Sequence, residues 1–438
     1  MKIQLIHPPI DEEYKGHAIK DWLMGPPTGL ELIAKATELF VEETNIEVID
    51  GNRHSLDTIL KTISADFVGM SSQYSNYHNA LNILRQAKLK GATTVIGGPN
   101  INHIAKRTLR NNPFIDYAVV GDGEDSFSML VKGIPFSDIP NLVYRENNNI
   151  KENQKISIRL GMLFDLEHLD WKVYDKNDQV PISSIRGCIK AQTDGRCTFC
   201  SIDSLLRVMA PEKVWQQIDI LNRKYGFNYF FETGDSFVVG NFPQKLLESR
   251  PNHLSEIKFR IYTSPDQITP EIVEVFRELN VKNLLLGIES ANDTILEKSG
   301  KAYSRQDIDN ALNLLYGADM DLILPFIYGL PGESEKTLEN NYQYAKEVVK
   351  RHPGMFVLAS KAIPMVGSEL FTNLMNNTTI KSQYQGDLLR DDILDYQQLI
   401  KLQTKHFTSV TYEKVSEYTE KTRNLVGETR TPSFGEWK

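Results

Sequence analysis

Cys188, Cys197 and Cys200 are the only thiols in 438 residues, and all three lie in one stretch, Ile185-Arg-Gly-Cys-Ile-Lys-Ala-Gln-Thr-Asp-Gly-Arg-Cys-Thr-Phe-Cys-Ser201. Thiolates are soft ligands for zinc or iron–sulfur clusters, and a pair three positions apart can grip one metal centre from a single turn. A disulfide would leave one cysteine over. A closed zinc site wants four ligands, and the segment offers no histidine at finger-like spacing. Three thiolates on a four-iron cubane would leave one iron without a protein ligand, open to chemistry. A cluster, a zinc ion and unconnected buried thiols are the three readings the cysteines allow, and the cluster accounts for them best.

Composition narrows what surrounds this loop. The length exceeds one ordinary core and points to two or three domains. A hydrophobic fraction of 41% with 24% charged residues is that of a soluble globular protein. The net charge of −8 argues against nucleic acid as substrate. No window approaches the roughly 20 apolar residues that span a bilayer, and the opening Met1-Lys-Ile-Gln-Leu-Ile-His-Pro-Pro9 is no signal peptide. The expected location is the cytosol, where thiols stay reduced and available to metal.

Residues 1 to about 150 alternate apolar runs (Ile3–Ile6, Ile46–Ile49, Phe67–Met70, Thr94–Ile96 and Tyr117–Val120) with amphipathic stretches such as Gly29–Val41 and His78–Lys90. That alternation predicts a doubly wound parallel sheet, with ligands at the carboxyl ends of the strands. Those ends carry Ser71, Ser72, Gln73, Gly97, Gly98, Gly121, Gly123 and Glu124. The glycines there make tight turns or let backbone approach a ligand, and spacing does not separate the two. The polar Arg145–Asn153 reads as a turn or linker, placing a domain boundary near residue 155.

Six further strand candidates follow: Ile182–Arg186, Tyr229–Thr233, Lys258–Thr263, Asn283–Ile288, Leu322–Tyr328 and Met355–Lys361. The helices between them start at oxygen caps such as Thr269 and Ser304. Six β/α units predict a partial parallel barrel working at its strands' carboxyl ends, with the cysteines after the first strand and hence at its mouth. Beyond Pro364 the chain turns polar, Asp391 to Thr422 shows helical periodicity, and the tail from Gly427 reads as loose.

This arrangement resembles the radical S-adenosylmethionine superfamily, in the class with an N-terminal cobalamin-binding-like domain. Cys197-Thr-Phe-Cys200 matches the end of the family's cysteine motif, including the aromatic Phe199; eight residues separate Cys188 from Cys197 where the family usually has three. The resemblance implies a 4Fe-4S cluster on Cys188, Cys197 and Cys200, with the amino acid moiety of S-adenosylmethionine on the fourth iron. It implies S-adenosylmethionine contacts from Phe199, from Glu232, Thr233, Gly234 and Asp235, from Ser264, from Glu289 and Ser290, and from Gly329 of Ile327-Tyr-Gly-Leu-Pro-Gly-Glu333, with Lys301 or Arg305 pairing the carboxylate. Cobalamin is implied at the N-terminal strand ends, from Ser71 to Glu124, with no histidine on its lower face, since Asp50-Gly-Asn-Arg-His54 does not carry the family's cobalt-ligand spacing. The domains implied are a cobalamin-binding-like Rossmann domain (1–155), a (β/α)6 TIM-like radical SAM barrel (156–370) and a C-terminal helical cap (371–438).

The chemistry implied is reductive cleavage of S-adenosylmethionine and hydrogen abstraction from an unactivated carbon of a small-molecule or peptide substrate, with an electron donor such as flavodoxin or ferredoxin. With cobalamin the outcome is methyl transfer; without it, rearrangement, cyclisation or dehydrogenation. A degenerate partner subunit is the rival outside catalysis, favoured only by the long gap after Cys188. A methylthiotransferase is disfavoured, since that branch needs a second cysteine trio.

Overall fold

The central N-terminal runs, Ile3–Ile6, Phe67–Met70 and Thr94–Ile96, form strands buried on both faces, as a helix-covered parallel sheet requires, while the edge run Ile46–Ile49 is buried only in its second half. β1 (Lys2–His7), β2 (Asn45–Asp50), β3 (Phe67–Ser71), β4 (Thr93–Gly97) and β5 (Tyr117–Val119) are parallel neighbours in the order β2-β1-β3-β4-β5. This is a doubly wound order whose ligand crevice lies at the switch between β1 and β3. The crossovers are α1 (Thr28–Phe40), α2 (Leu56–Thr62), α3 (Tyr77–Leu89) and α4 (Ile101–Asn111), with α5 (Glu124–Val131) after β5. The computed structural model describes residues 1–12, 25–147, 149–202, 205–351, 355–383 and 396–425.

Two expectations are corrected in this half. Arg145–Asn153 is no linker: β6 (Leu142–Glu146) and β7 (Asn149–Glu152) extend the sheet as an antiparallel hairpin. Leu142, Val143 and Tyr144 are buried beside β5, and the polar residues that suggested a linker belong to the outermost strand and its turn, where Asn147 adopts a left-handed φ of 47°, tolerated by asparagine. The first compact unit also runs past residue 155 to Pro181. The extra segment is fastened to it: His168 meets Glu31 at 2.8 Å, Tyr174 donates to Asp50 at 2.5 Å, and Arg53 pairs with Asp178 at 2.7 Å.

The second unit begins at Ile182. β8 (Val180–Ile182), β11 (Tyr229–Glu232), β12 (Lys258–Thr263), β13 (Val281–Leu286), β14 (Asp321–Tyr328) and β15 (Met355–Lys361) form one six-stranded sheet in sequential order. The predicted first strand, Ile182–Arg186, is split. After β8 the chain bends away, and β9 (Ile185–Arg186) pairs antiparallel with β10 (Arg207–Val208). Gly187 makes this possible: its φ is 86°, and a Cβ there would sit 2.3 Å from the Leu205 carbonyl oxygen. The thiol loop, including the short α6 (Ile189–Thr193), therefore hangs between β9 and β10.

The helices between the barrel strands are α7 (Pro211–Tyr225), α8 (Phe242–Glu248), α9 (Pro270–Glu278), α10 (Asp293–Lys298), α11 (Arg305–Leu315) and α12 (Glu335–Arg351). Thr269 and Ser304 cap α9 and α11 through the amides of Ile272 and Asp307, as expected. After β15 come α13 (Glu369–Asn376), α14 (Thr378–Gln383), α15 (Tyr396–Phe407) and α16 (Tyr412–Arg423). Helix α16 lies on β15, with Arg423 donating to the Ala359 carbonyl at 2.9 Å and Thr422 bonded to Tyr328 at 2.6 Å. The start of the predicted helical stretch at Asp391 and the tail from Gly427 lie outside the described residues. Among the described residues no helix is long and apolar enough to cross a membrane.

Two glycines of the first unit separate packing from ligand approach. At Gly98 a Cβ would sit 2.5 Å from the Ser72 nitrogen, whereas at Gly121 nothing lies within 4 Å, though both have positive φ. Gly121→Ala should cost only the backbone strain, about 1–2 kcal/mol. Gly98→Ala should add the overlap and cost more than about 3 kcal/mol. Urea unfolding of the two variants checks this; equal losses would contradict it.

Candidate active site at the three-cysteine loop

Glu232, at the end of β11 and only 1% exposed, sets where the thiol loop begins. Its carboxylate accepts from the Ser184 amide at 3.1 Å and the Gly234 amide at 2.9 Å, and from the Ser184 hydroxyl. Burial nevertheless pushes its pKa up to about 7, these donors partly offsetting the loss of water. Neighbouring Thr233 is turned to the same strand, its amide and hydroxyl both donating to the Ile182 carbonyl, at 2.8 and 3.0 Å. Two of the residues expected around S-adenosylmethionine thus bind the β8–β9 link.

Asp235 is different. It is exposed, yet burial of its carboxyl among protein atoms pushes its pKa up to about 6, against a lowering hydrogen bond from the Gly187 backbone. Its charge is felt at Cys200, whose thiol is pushed up to about 11 by burial first and then by Cys197, Asp235 and Cys188. The three thiols and one carboxylate are therefore neighbours.

The cysteines form no disulfide. A single four-coordinate ion with metal–sulfur bonds of about 2.3 Å needs its sulfurs roughly 4 Å apart. Among the described residues, the one metal-spaced trio within 4.8 Å is Glu38, Glu167 and His168, not the thiols; Lys35 already bridges those two glutamates at 2.7 and 3.0 Å. Thiols that are neighbours but more widely spaced fit a cluster, where each would bind a different iron. A thiol pushed upward also needs a bound cation to give up its proton, which a cluster supplies.

A second group lies against the CxxC turn. The Thr198 amide donates to the Ser299 carbonyl at 3.1 Å, and a Cβ on Gly300 would stand 3.7 Å from the Cys197 Cα. Lys301 follows, its ammonium 3.0 Å from the Glu289 carboxylate and 5.3 Å from the Phe199 ring centroid. Tyr303 donates to the Gly287 carbonyl. Glu289 has a left-handed φ of 58°, costing about 1–3 kcal/mol for a non-glycine residue. Its amide donates to the Pro325 carbonyl and its carbonyl accepts from Ile327, both at 2.9 Å, so β14 holds it there.

Other expected residues are occupied elsewhere. Ser290 is fully buried and bonds Asn341 at 3.1 Å. Ser264 caps a short turn with Gln267. Arg305 starts α11, lies 3.3 Å from the Tyr344 ring centroid and bonds Asp309 at 3.1 Å, which places it in the helix layer. Gly329 packs against Thr404 and Val415, and its amide donates to Glu333 at 2.5 Å. In the first unit Ser72 and Glu124 are buried, and Gln73 is folded into a capping box with Asn76. Gly97, Gly98, Gly123 and Ser71 are partly buried and Gly121 is exposed, so a ligand can lie flat against backbone chiefly at Gly121. Ser184, Glu333, Asn341 and Tyr303 were missed as site residues. Glu333 alone had a signal, as the acid ending the Gly329 loop.

Two family models match, the radical SAM superfamily over residues 182–345 and the B12 binding domain over residues 23–131. The chain thus joins a B12 binding domain to a radical SAM domain, and this pairing implies a 4Fe-4S cluster, S-adenosylmethionine and cobalamin as cofactors. It is 25% identical over 442 residues to an uncharacterized methyltransferase of Pyrococcus horikoshii, covering 95% of this chain and 90% of that one. It is 24% identical to the anaerobic magnesium-protoporphyrin IX monomethyl ester cyclase of Cereibacter sphaeroides, over 65% of this chain and half of that one. The fold is that of the radical S-adenosylmethionine methyltransferase TsrM from Kitasatospora setae, solved with cobalamin and a 4Fe-4S cluster (TM-score 0.67, 14% identity, 85% of this chain and 74% of that chain). It is also that of the cobalamin-dependent radical enzyme OxsB (TM-score 0.72, 15% identity, 96% and 65%).

Glu333 supplies a pH test. Fully buried, it is pushed up to about 8 by burial, against the Gly329 and Leu330 amides. The unfolded chain releases this proton near the ordinary value of 4.5 and the folded chain holds it longer, so its contribution to stability is complete below about 4.5 and lost as pH rises through 8. Glu333→Gln should remove that loss. The melting temperature of wild type minus variant should fall between pH 4.5 and 8 and level off above; a flat difference would refute the assignment.

Proposed function

We propose that the chain is a cobalamin-dependent radical S-adenosylmethionine methyltransferase acting on an unactivated carbon of a small-molecule or peptide substrate. The observation that carries this reading is the gathering of three free thiols after β9 with Asp235 after β11 close enough to act on Cys200, in a chain whose N-terminal sheet has the doubly wound switch point. The cluster supplies one-electron reduction and cobalamin a transferable methyl group when they are bound. The relatives described as methyltransferases support the choice of methyl transfer over rearrangement.

The residues divide the work. Cys188, Cys197 and Cys200 hold the cluster. Asp235 accepts from the ammonium of S-adenosylmethionine, and Lys301 meets its carboxylate; Glu232, Thr233, Ser264, Ser290 and Gly329 hold the strand ends that carry these groups. Phe199 keeps water from the CxxC turn. Arg305 has no part in binding. Ser71, Gly97 and Gly121 take the edge of cobalamin, with Ser72, Gln73, Gly98, Gly123 and Glu124 fixing the loops behind them. The first unit, to Pro181, serves as cobalamin domain, and the second, from Ile182, as barrel to about residue 370 with a helical cap after it. The protein works in the cytosol with a flavodoxin or ferredoxin as electron donor, and takes neither nucleic acid nor membrane as partner.

Anaerobic reconstitution tests the proposal. Cys188→Ala, Cys197→Ala and Cys200→Ala should each lose most of the bound iron and lower reductive cleavage of S-adenosylmethionine more than about 100-fold. Wild type purified from cobalamin-fed cells should carry cobalt near one atom per chain. Cobalt near zero in protein that still cleaves S-adenosylmethionine would sink methyl transfer.

A further inference from the structure

The pair formed by Lys301 and Glu289 has no free solvent to serve. Both side chains are about nine-tenths buried, at 9% and 11% exposure. Two constraints hold the pair at a set distance from the thiols. Glu289 is fixed in its left-handed conformation by backbone bonds to Pro325 and Ile327. Lys301 extends from a backbone joined to the CxxC turn through the bond from Thr198 to Ser299, with Gly300 so near Cys197 that an added Cβ would stand 3.7 Å from its Cα. Its ammonium lies near the Phe199 and Tyr303 rings, at 5.3 and 5.5 Å from their centroids.

We propose that the Lys301–Glu289 pair sets the reduction potential of the cluster, Lys301 raising it and Glu289 opposing that effect, in addition to the contact of Lys301 with the carboxylate of S-adenosylmethionine. Adding an electron to a thiolate-bound cluster adds negative charge to a group that is already anionic, and charge near a cluster is one determinant of its potential. A cation held beside Cys197 in poorly solvated surroundings favours the reduced state, because the attraction is screened little by water. The neighbouring carboxylate opposes it. The two charges should therefore act on the potential with opposite signs.

The inference rests on the three-cysteine cluster reading, which iron and sulfide content of reconstituted wild type tests separately. The experiment is a redox titration of reconstituted wild type, Lys301→Met, Glu289→Gln and Lys301→Arg, without S-adenosylmethionine, followed by the electron paramagnetic resonance of the reduced cluster. Lys301→Met should shift the one-electron equilibrium toward the oxidised form about tenfold, a midpoint lower by about 59 mV. Glu289→Gln should shift it the other way, and Lys301→Arg should stay near wild type. Midpoints unchanged in Met and Gln variants, shifts of the same sign in both, or a Lys301→Arg shift equal to that of Lys301→Met would overturn the proposal. If Lys301→Met fails to hold a cluster, Glu289→Gln decides alone: no upward shift refutes it.

Discussion

A carboxylate placed where water cannot reach it must be satisfied by protein donors, and at Glu232 those donors belong to the chain that leads to the cysteines. Ser184 and Gly234 supply them. This fixes the end of β11 to the link between β8 and β9, so the turn at Gly187 leaves the sheet in one direction only. An unsatisfied buried group would cost about 1–3 kcal/mol, enough to keep this link closed. The thiol loop hangs from it.

A second buried acid does the same for the other side of the barrel. Glu333 bonds the Gly329 amide at 2.5 Å and Asn341 at 3.3 Å, and Asn341 in turn receives Ser290 and the Ala291 amide. The ends of β13 and β14 are thereby tied to α12. Burial pushes both acids well above the ordinary carboxylate range, more than the amides that hold them pull them down. The thiols, Asp235 and the Lys301–Glu289 pair lie on or next to the loops held in this way.

The N-terminal unit follows a different rule. Its strand ends are shaped by close packing, as at Gly98 against Ser72, while of Gly97, Gly98, Gly121 and Gly123 it is Gly121 that has nothing within 4 Å of an added Cβ. A large flat ligand needs few side chains there. That explains why the residues that looked like ligand contacts are mostly turned into their own loops.

The strands, the parallel order and the three-thiol loop were legible from sequence, because hydrophobic periodicity and three clustered cysteines are local signals. Thr269 and Ser304 were read as caps for the same reason: the capped amide lies three residues away. The hairpin of β6 and β7 was not legible. Its edge strand is polar because one side of it faces solvent, and composition alone cannot tell that from a linker. Nor could sequence assign the roles of the charged residues. Glu232 and Asp235 stand three positions apart in one motif, yet the first is consumed by Ser184, distant in sequence, and the second is exposed. Lys301 and Arg305 differ in the same way, one against Phe199 and the other over Tyr344. Which side chain stays available for chemistry depends on partners brought together from other strands, and only the tertiary structure decided that.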